Sequence, residues 1–347
     1  MRIVNDILAR FFCRVALPDR TGSHGVATTS LKVAIMAEGG SSRRISAQIW
    51  YPIESSEPAA RPSTLARILH PMWAPAHHGK PPPGAFGKAP LIIYVPDAPG
   101  YHDDNTFTLA NLASHGFVLA SLRDPFRKEN AASGSKEIQR VERGIKTASL
   151  FVDALQQLQA TAPVGSWATS LDLTRLGIMG YAVGGVVAAE AKLADRRFIS
   201  AANLDGARTE NAPLVTGPYL LMLSDSSAGT RNRVGDGLRL AAVLRAPARY
   251  RDAHRQAALP QSHVIELTGT KHEHFSDLLV LSSCRWFGME QSSNWRRIGA
   301  IIDAYTVAFF RTYLRSAPQP LMCVRHSPYP EVRFVPAREP IRLHRIR

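Results

Sequence analysis

Short, unbroken apolar runs alternate with helix-forming segments between residues 90 and 314, and this alternation limits the folds open to the chain more than any other feature. Runs of this kind are typical of strands that are buried on both faces. They lie at 91–95, 117–122, 175–180, 198–204, 219–223 and 263–267. Helices are predicted between and after them, at 105–114, 137–159, 184–193 and 301–314. The order predicts an α/β fold, with a mostly parallel central sheet and helices on both faces.

The remaining segments predict one domain with irregular additions. Residues 26–53 alternate between apolar and polar side chains and predict strands, so the domain is expected to span residues 26–317. Two stretches inside it lack a clear strand pattern: a proline-rich excursion at 54–89 and an Arg-rich insertion at 226–260. Residues 318–347 form a basic tail, rich in Pro and Arg, that we expect to wrap the surface or to be mobile.

The N-terminal segment, residues 1–25, begins with an amphipathic helical pattern. Within residues 1–15 the apolar side chains share one helical face, and charged residues interrupt the apolar run too often for a signal peptide. Such a helix can lie on an anionic membrane surface. A helix packed on its own domain or on a partner shows the same pattern and is the commoner case, so membrane contact is one of two interpretations.

The charge balance excludes little by itself. Forty-two Lys and Arg residues against 28 Asp and Glu residues give a net charge of +14, which favours attraction to anionic surfaces or polymers. The chain has no zinc-finger, RNP or basic-zipper pattern, so no specific nucleic acid is predicted as a partner. The simplest interpretation is a soluble surface that is basic overall.

Cysteine and histidine spacing argues against metal and disulfide chemistry. The three cysteines, Cys13, Cys284 and Cys323, show no CxxC spacing, which excludes a disulfide framework and a cysteine zinc site. Unbridged thiols favour a reducing compartment, so a cytoplasmic location is predicted, peripheral to a membrane if the first helix binds one. Residues 101–104 are interpreted as a loop in which Asp104 caps the following helix. Neither a metal nor a cofactor is predicted.

One stretch, residues 176–189, has the pattern of a catalytic turn. Gly180 and Gly184 flank the central residue, Ala182, as the glycines do in G-x-S-x-G. In that motif the central residue occupies a strained corner between a strand and a helix, so its side chain points into the site. The next backbone N–H, that of Val183, lies at a helix N-terminus and can donate to an oxyanion.

Five stretches together resemble the α/β-hydrolases, and more narrowly the bacterial dienelactone-hydrolase-like and platelet-activating-factor-acetylhydrolase-like group. They are spread over about residues 90–277: Pro90-Leu-Ile-Ile-Tyr-Val, Leu112-Ala-Ser-His-Gly-Phe-Val-Leu-Ala, Gly177-Ile-Met-Gly-Tyr-Ala-Val-Gly-Gly, Asn203-Leu-Asp-Gly and Gly269-Thr-Lys-His-Glu-His-Phe-Ser-Asp. The resemblance implies the α/β-hydrolase fold and hydrolysis of a carboxylic ester. The implied substrate is a short acyl ester, a lactone or a lipid-derived ester.

The same resemblance implies a triad in the order nucleophile, acid, histidine. Asp205 matches the acid and His272, directly after Gly269-Thr-Lys, matches the base. Asp205 would orient the imidazole, and His272 would carry the proton. His274 is the competing histidine. Other interpretations stay open: Asp205 as a turn carboxylate before a glycine, or His272 and His274 as a pair of metal ligands that lacks a third.

The chain departs from the family at two places. The nucleophile position is Ala182, whose methyl group cannot attack an ester. The loop that supplies the second oxyanion donor is Val95-Pro-Asp-Ala-Pro-Gly100, in which the N–H of Ala98 is the best candidate. Asp97 in this loop would place a negative charge beside the oxyanion hole if its side chain pointed inward.

Three explanations fit these departures. The alanine is an engineered replacement of serine, or the protein is a natural non-catalytic binding protein on a hydrolase scaffold. In the third, His272 acts as a general base on a bound substrate or water without a protein nucleophile. In each case the expected partner is a small ester or lipid-like ligand, and the oligomeric state stays open.

Overall fold

The computed structural model describes eleven parts of the chain. They are residues 19–36, 42–54, 77–78, 87–97, 104–123, 134–164, 166–209, 211–225, 252–277, 295–324 and 326–337. The N-terminal residues 1–18, most of the insertion at 226–260 and most of the excursion at 54–89 therefore lie outside the described residues, as does Ala98.

The described strands form one sheet in the order β10-β9-β8-β7-β6-β4-β5-β2-β1-β3. Their bounds are β1 Gly25–Met36, β2 Ser42–Ile53, β3 His77–His78, β4 Ala89–Val95, β5 Val118–Leu122, β6 Leu171–Tyr181, β7 Phe198–Leu204, β8 Tyr219–Ser224, β9 Ser262–Leu267 and β10 Val332–Phe334. The pairs from β5 through β9 are parallel, whereas β1–β2, β2–β5 and β9–β10 are antiparallel. The predicted, mostly parallel sheet is confirmed.

Helices cover both faces of this sheet. Their bounds are α1 Thr106–Ser114, α2 Gly134–Thr161, α3 Val183–Ala194, α4 Trp295–Leu314 and the single turn α5 Pro320–Cys323. Buried side chains of α2 and α3 join one apolar core, and those of α1 and α4 join the other. Strands β4, β5 and β7 are almost wholly buried, as continuous apolar runs predict for strands between two helix layers.

The C-terminal prediction needs a correction. The sequence interpretation ends the domain at residue 317, but Val332–Phe334 forms the tenth strand and pairs antiparallel with β9. The physical reason is that β9 would otherwise be an edge with unpaired backbone groups, and a three-residue strand is too short to show an alternation pattern. Within the described residues, no helix has the length and apolar character that spanning a bilayer requires.

Candidate active site

The turn at Ala182 has the geometry of a strained corner. Strand β6 ends at Tyr181, helix α3 begins at Val183, and Ala182 between them has φ 52° and ψ −118°. The N–H of Ala182 donates to the carbonyl of Leu204 at the end of β7, over 2.9 Å. Its own carbonyl accepts from the N–H of Gly185 at 3.0 Å. The corner is thus held by the neighbouring strand and by the first turn of its helix.

Two glycines make this corner possible. A Cβ on Gly184 would collide with the carbonyl oxygen of Val95, and a Cβ on Gly180 would collide with the carbonyl of Gly184. These neighbours are backbone atoms of the sheet and the helix, so no side-chain rotation can relieve either collision. The glycine spacing found in the sequence therefore brings β4, β6 and α3 into close contact around residue 182.

Asp205 follows β7, at the same edge of the sheet. Its backbone has φ 59°, an uncommon value for a residue other than glycine. The carboxylate is buried: Oδ1 accepts from the Ser224 N–H at 2.5 Å and Oδ2 accepts from the Ser224 hydroxyl at 2.9 Å. Ser224 ends the adjacent strand β8, so the fold holds this carboxylate in one orientation.

His272 begins a 3₁₀ turn, His272–Phe275, that follows β9. Its Nδ1 lies 2.6 Å from Asp205 Oδ2, so Nδ1–H donates to the carboxylate. The imidazole stacks on the ring of Tyr181, with 4.8 Å between centroids, and 46% of its side chain is exposed. Because Nδ1 is engaged with Asp205, Nε2 is the ring nitrogen left to exchange a proton with a ligand.

The charges around His272 favour its protonated form. Burial of the imidazole lowers its pKa, but the hydrogen bond and the charge of Asp205 raise it. The charges of Asp97 and Glu273 act in the same direction, so the pKa of His272 lies above the ordinary value of 6.5. The structure thus brings Asp205 and His272 together as an acid–histidine pair.

His274 does not take part in this pair. It is buried, its Nδ1 accepts from the backbone N–H of Lys271 at 3.0 Å, and burial lowers its pKa. Nδ1 of His272 is bonded to Asp205 and Nδ1 of His274 accepts from the Lys271 N–H, so neither of these two nitrogen atoms is open to a metal ion. Among the residues that the structure describes, no group of three His, Cys, Asp or Glu side chains is arranged to hold a metal ion.

Asp97 points into the site. Its Oδ1 lies 3.3 Å from the backbone nitrogen of Val183, the predicted oxyanion donor. The charge of Asp97 also raises the pKa of both His272 and Tyr181. A protein carboxylate therefore sits where the developing oxyanion of an ester would be bound.

Asp104, predicted to cap the helix after it, instead positions Asp97, so that prediction is wrong. Its Oδ2 accepts from the N–H of Asp97 at 2.9 Å, and its Oδ1 accepts from the hydroxyl of Tyr94 at 2.6 Å. Helix α1 is capped from far along the chain, because Asp277 Oδ2 accepts from the N–H of Thr106 at 2.5 Å. A long-range cap of this kind leaves no local sequence pattern.

Sequence reasoning missed two residues of the site, Tyr181 and Ser224. Tyr181 supplies the ring under the imidazole, and Ser224 donates two hydrogen bonds to the carboxylate of Asp205. Ser224 could have been found by its place, since it ends a buried strand next to the strand that leads to Asp205, and ligands in such sheets gather at the carboxyl ends of strands.

The assembled groups can bind and move a proton, but the described part of the site offers no nucleophile at the corner. A methyl group stands at residue 182, an acid–histidine pair stands beside it, and one backbone donor is occupied by Asp97. Such a set can orient a ligand and act as a general base on water.

Comparison with known proteins agrees with this architecture. Residues 76–212 match the model of the dienelactone hydrolase family. The structure is similar to a ferulic acid esterase from Streptomyces cinnamoneus, with a TM-score of 0.64 and 22% identity, over 92% of this chain and 98% of that chain. The search among curated proteins returned no match. The chain thus has the α/β-hydrolase fold and is similar over residues 76–212 to the dienelactone hydrolase family.

Proposed function

We propose that the protein has the architecture of a carboxylic-ester hydrolase, and that alanine at residue 182, in the place of a nucleophile, prevents or strongly impairs ester hydrolysis. The observation that carries the proposal is the formed His272–Asp205 hydrogen bond beside a strained corner that holds alanine. A strained backbone at a site is normally kept where a reacting side chain must be presented. With alanine at residue 182, the protein is expected to hydrolyse esters weakly or not at all.

The mechanism follows from what each group can do. A hydroxyl at residue 182 would attack the acyl carbon while its proton passes to Nε2 of His272, and Asp205 would stabilise the imidazolium. The N–H of Val183 would bind the oxyanion, and Ala98 is the proposed second donor. His272 would give this proton to the leaving alkoxide, which departs as the alcohol and leaves the acyl group on residue 182. Water, deprotonated by His272, would then attack the acyl group and release the acid. With alanine in place, His272 can act only as a general base on water, which leaves a residual rate up to about 10³–10⁴-fold above that in water.

The test is an assay of the chain beside its Ala182→Ser variant on p-nitrophenyl acetate and butyrate. We expect serine to raise kcat by about 10²-fold or more, since removing one member of such a triad lowers kcat by at least that factor. Adding His272→Ala to the serine variant should remove the gain. The matched control is His274→Ala in the same background, which should leave most of it. A folded serine variant that stays as inactive as the parent would contradict the proposal.

A second candidate function is supported by one specific observation, the Asp97 carboxylate on the Val183 N–H. If both the nucleophile and the oxyanion donor are lost to ester chemistry, the scaffold is a non-catalytic binding protein. Its ligand would be a small ester or a lipid-like molecule that occupies the pocket without turnover. In that case Ala182→Ser alone stays inactive, because the Val183 N–H is still occupied, and only serine combined with Asp97→Ala gains activity.

Membrane contact through residues 1–15 is a separate proposal. It rests on the amphipathic pattern and on the net charge of +14. Deleting these residues should abolish sedimentation with vesicles that contain anionic lipid. If the shortened chain sediments as the full chain does, the helix packs elsewhere and the proposal fails.

A further inference from the structure

A small cavity lies beside the turn His272–Phe275. Three elements build its walls: the start of α1, residues 274–277 of the turn, and the first turns of α4. Its volume is about 40 Å³, room for two or three groups the size of a water molecule. None of its lining residues is a member of the His272–Asp205 pair.

Asp303 makes this cavity unusual. It projects from the buried side of α4, where Ile302 and Tyr305 belong to the apolar core. Only 6% of the residue is exposed, and its Oδ1 has no hydrogen-bond partner among the described residues. The Asp303 carboxyl group is hydrogen-bonded to the Thr108 hydroxyl, and burial raises the pKa of Asp303 to about 7. A buried acid with an unsatisfied oxygen destabilises a fold unless a partner occupies the space beside it.

The rest of the lining has the chemistry of a cation site. A second buried carboxyl, that of Asp277, lines the same cavity, and burial together with the charges of Asp104 and Asp303 raises its pKa. His274 is the third titratable group of the lining, and burial lowers its pKa. Of the described lining residues, none is a lysine or an arginine that could neutralise the two acids.

Aromatic rings complete the walls, contributed by Phe107, Phe275 and Trp295. The face of an aromatic ring attracts a cation, most strongly when the ring is an indole. Carboxylates with aromatic walls, and with no lysine or arginine among the described lining residues, select an ammonium group over an anion. The small volume selects a primary ammonium over a quaternary one.

We propose that this cavity binds a small primary ammonium group, with Asp303 as its counter-ion and the ring of Trp295 against its alkyl end. The site is independent of residue 182, so it stands whether or not the chain hydrolyses esters. An alkylammonium inserted here would donate hydrogen bonds to the free Oδ1 of Asp303 and offset the repulsion between Asp303 and Asp277.

The test is an NMR titration of the ¹⁵N-labelled full-length protein with methylammonium chloride at about pH 8, where most of the Asp303 carboxyl is ionised. A probe this small binds weakly, so we expect a saturable shift of the Trp295 indole signal with a Kd on the order of 10 mM. Sodium chloride at equal concentration controls for ionic strength. Tetramethylammonium chloride, too large for the cavity, should not saturate.

Two variants of Asp303 and one control variant test whether this carboxyl group causes the shift of the Trp295 indole signal. Asp303→Asn should weaken binding by at least about tenfold, as expected when a charge partner is removed. Asp153→Asn, at an exposed aspartate paired with Arg197, is the matched control and should bind as the parent does. Asp303→Leu, which also removes the buried polar atoms, serves if the asparagine variant folds poorly. Absence of saturation up to about 100 mM, equal binding by Asp303→Asn, or equal binding of tetramethylammonium would each overturn the proposal.

Discussion

The Oδ1 atom of Asp97 lies 3.3 Å from the backbone nitrogen of Val183, so a side chain of the protein accepts the hydrogen bond that an ester oxyanion would need. Asp97 is itself held in this position, because its N–H donates to the buried carboxylate of Asp104. Under the proposed function, two features would oppose ester hydrolysis: the missing hydroxyl at residue 182 and the occupied donor at residue 183.

The first prediction concerns how these two features combine. In an Ala182→Ser background, Asp97→Ala should raise kcat by about tenfold or more, because it frees one oxyanion donor and removes a negative charge beside it. Asp97→Asn, which keeps an acceptor oxygen but not the charge, should give a smaller gain. The measurement is the kcat of each variant on p-nitrophenyl butyrate. A fall in kcat with Asp97→Ala would mean that Asp97 assists catalysis instead.

The second prediction concerns the protonation of His272. Its pKa should lie above 6.5 in the folded protein and should fall in the Asp97→Ala variant, because one of the charges that favour the imidazolium is removed. NMR titration of the imidazole signals measures both values. Glu273→Gln is the control and should lower the pKa less, since Glu273 contributes less than Asp97 does.

The raised pKa of His272 also has a consequence for stability. The stabilisation it gives is fully present below the unfolded value of 6.5 and is lost as the pH rises through the folded pKa. His272→Gln should therefore reduce the free energy of unfolding more at about pH 5.5 than at about pH 9. Urea denaturation at the two pH values tests this, and an equal loss at both would contradict the shift.

The third prediction concerns the glycine behind the corner. Gly184→Ala should lower the free energy of unfolding by about 2–3 kcal/mol or more, because its Cβ would meet the carbonyl oxygen of Val95, which cannot move away. Gly87→Ala is the matched control, since a Cβ there meets nothing within 4 Å, and should change stability by no more than about 0.5 kcal/mol. Urea denaturation of the two variants gives the comparison.

The fourth prediction uses the buried acid of α4. An unfolded aspartate loses its proton near 3.8, whereas Asp303 in the folded protein keeps it to about 7. Between these values the folded state binds more protons, so stability falls as the pH rises through the window. Asp303→Asn should remove the part of this fall that Asp303 causes. The free energy of unfolding of Asp303→Asn minus that of the parent should therefore grow between pH 3.8 and about pH 7 and stay constant at higher pH. Asp153→Asn, at an exposed aspartate, is the control, and its difference from the parent in the free energy of unfolding should not change over this pH range.

Patterns that depend on neighbouring residues could be predicted from the sequence. Strand β7 has the predicted bounds, Phe198–Leu204, because five of its seven side chains are apolar and charged residues, Arg197 and Asp205, mark its limits. Strand β6 is longer than predicted, since Leu171–Thr174 mixes half-exposed polar side chains into the strand. Helix α4 begins at Trp295, before the predicted residue 301, because its first turn carries two arginines that weaken the apolar pattern.

Contacts between distant parts of the chain could not be predicted. The direction of the Asp97 side chain depends on the buried Asp104 and Tyr94 beneath the loop. The cap of α1 comes from Asp277, 171 residues further along the chain. The order acid before histidine was available from the resemblance, but the partner that fixes the acid, Ser224, follows only from the neighbouring positions of β7 and β8.

Strand β10 also bears on how the protein can be shortened. Val332–Phe334 covers the outer edge of β9, whose last residue, Leu267, lies five positions before His272. A chain cut after residue 317 would present the backbone donors and acceptors of β9 to other molecules, and exposed edges of this kind recruit strands from neighbouring copies. We therefore expect such a truncation to self-associate through β9, the strand that leads to the turn that carries His272, so that solubility and the position of this histidine are lost together.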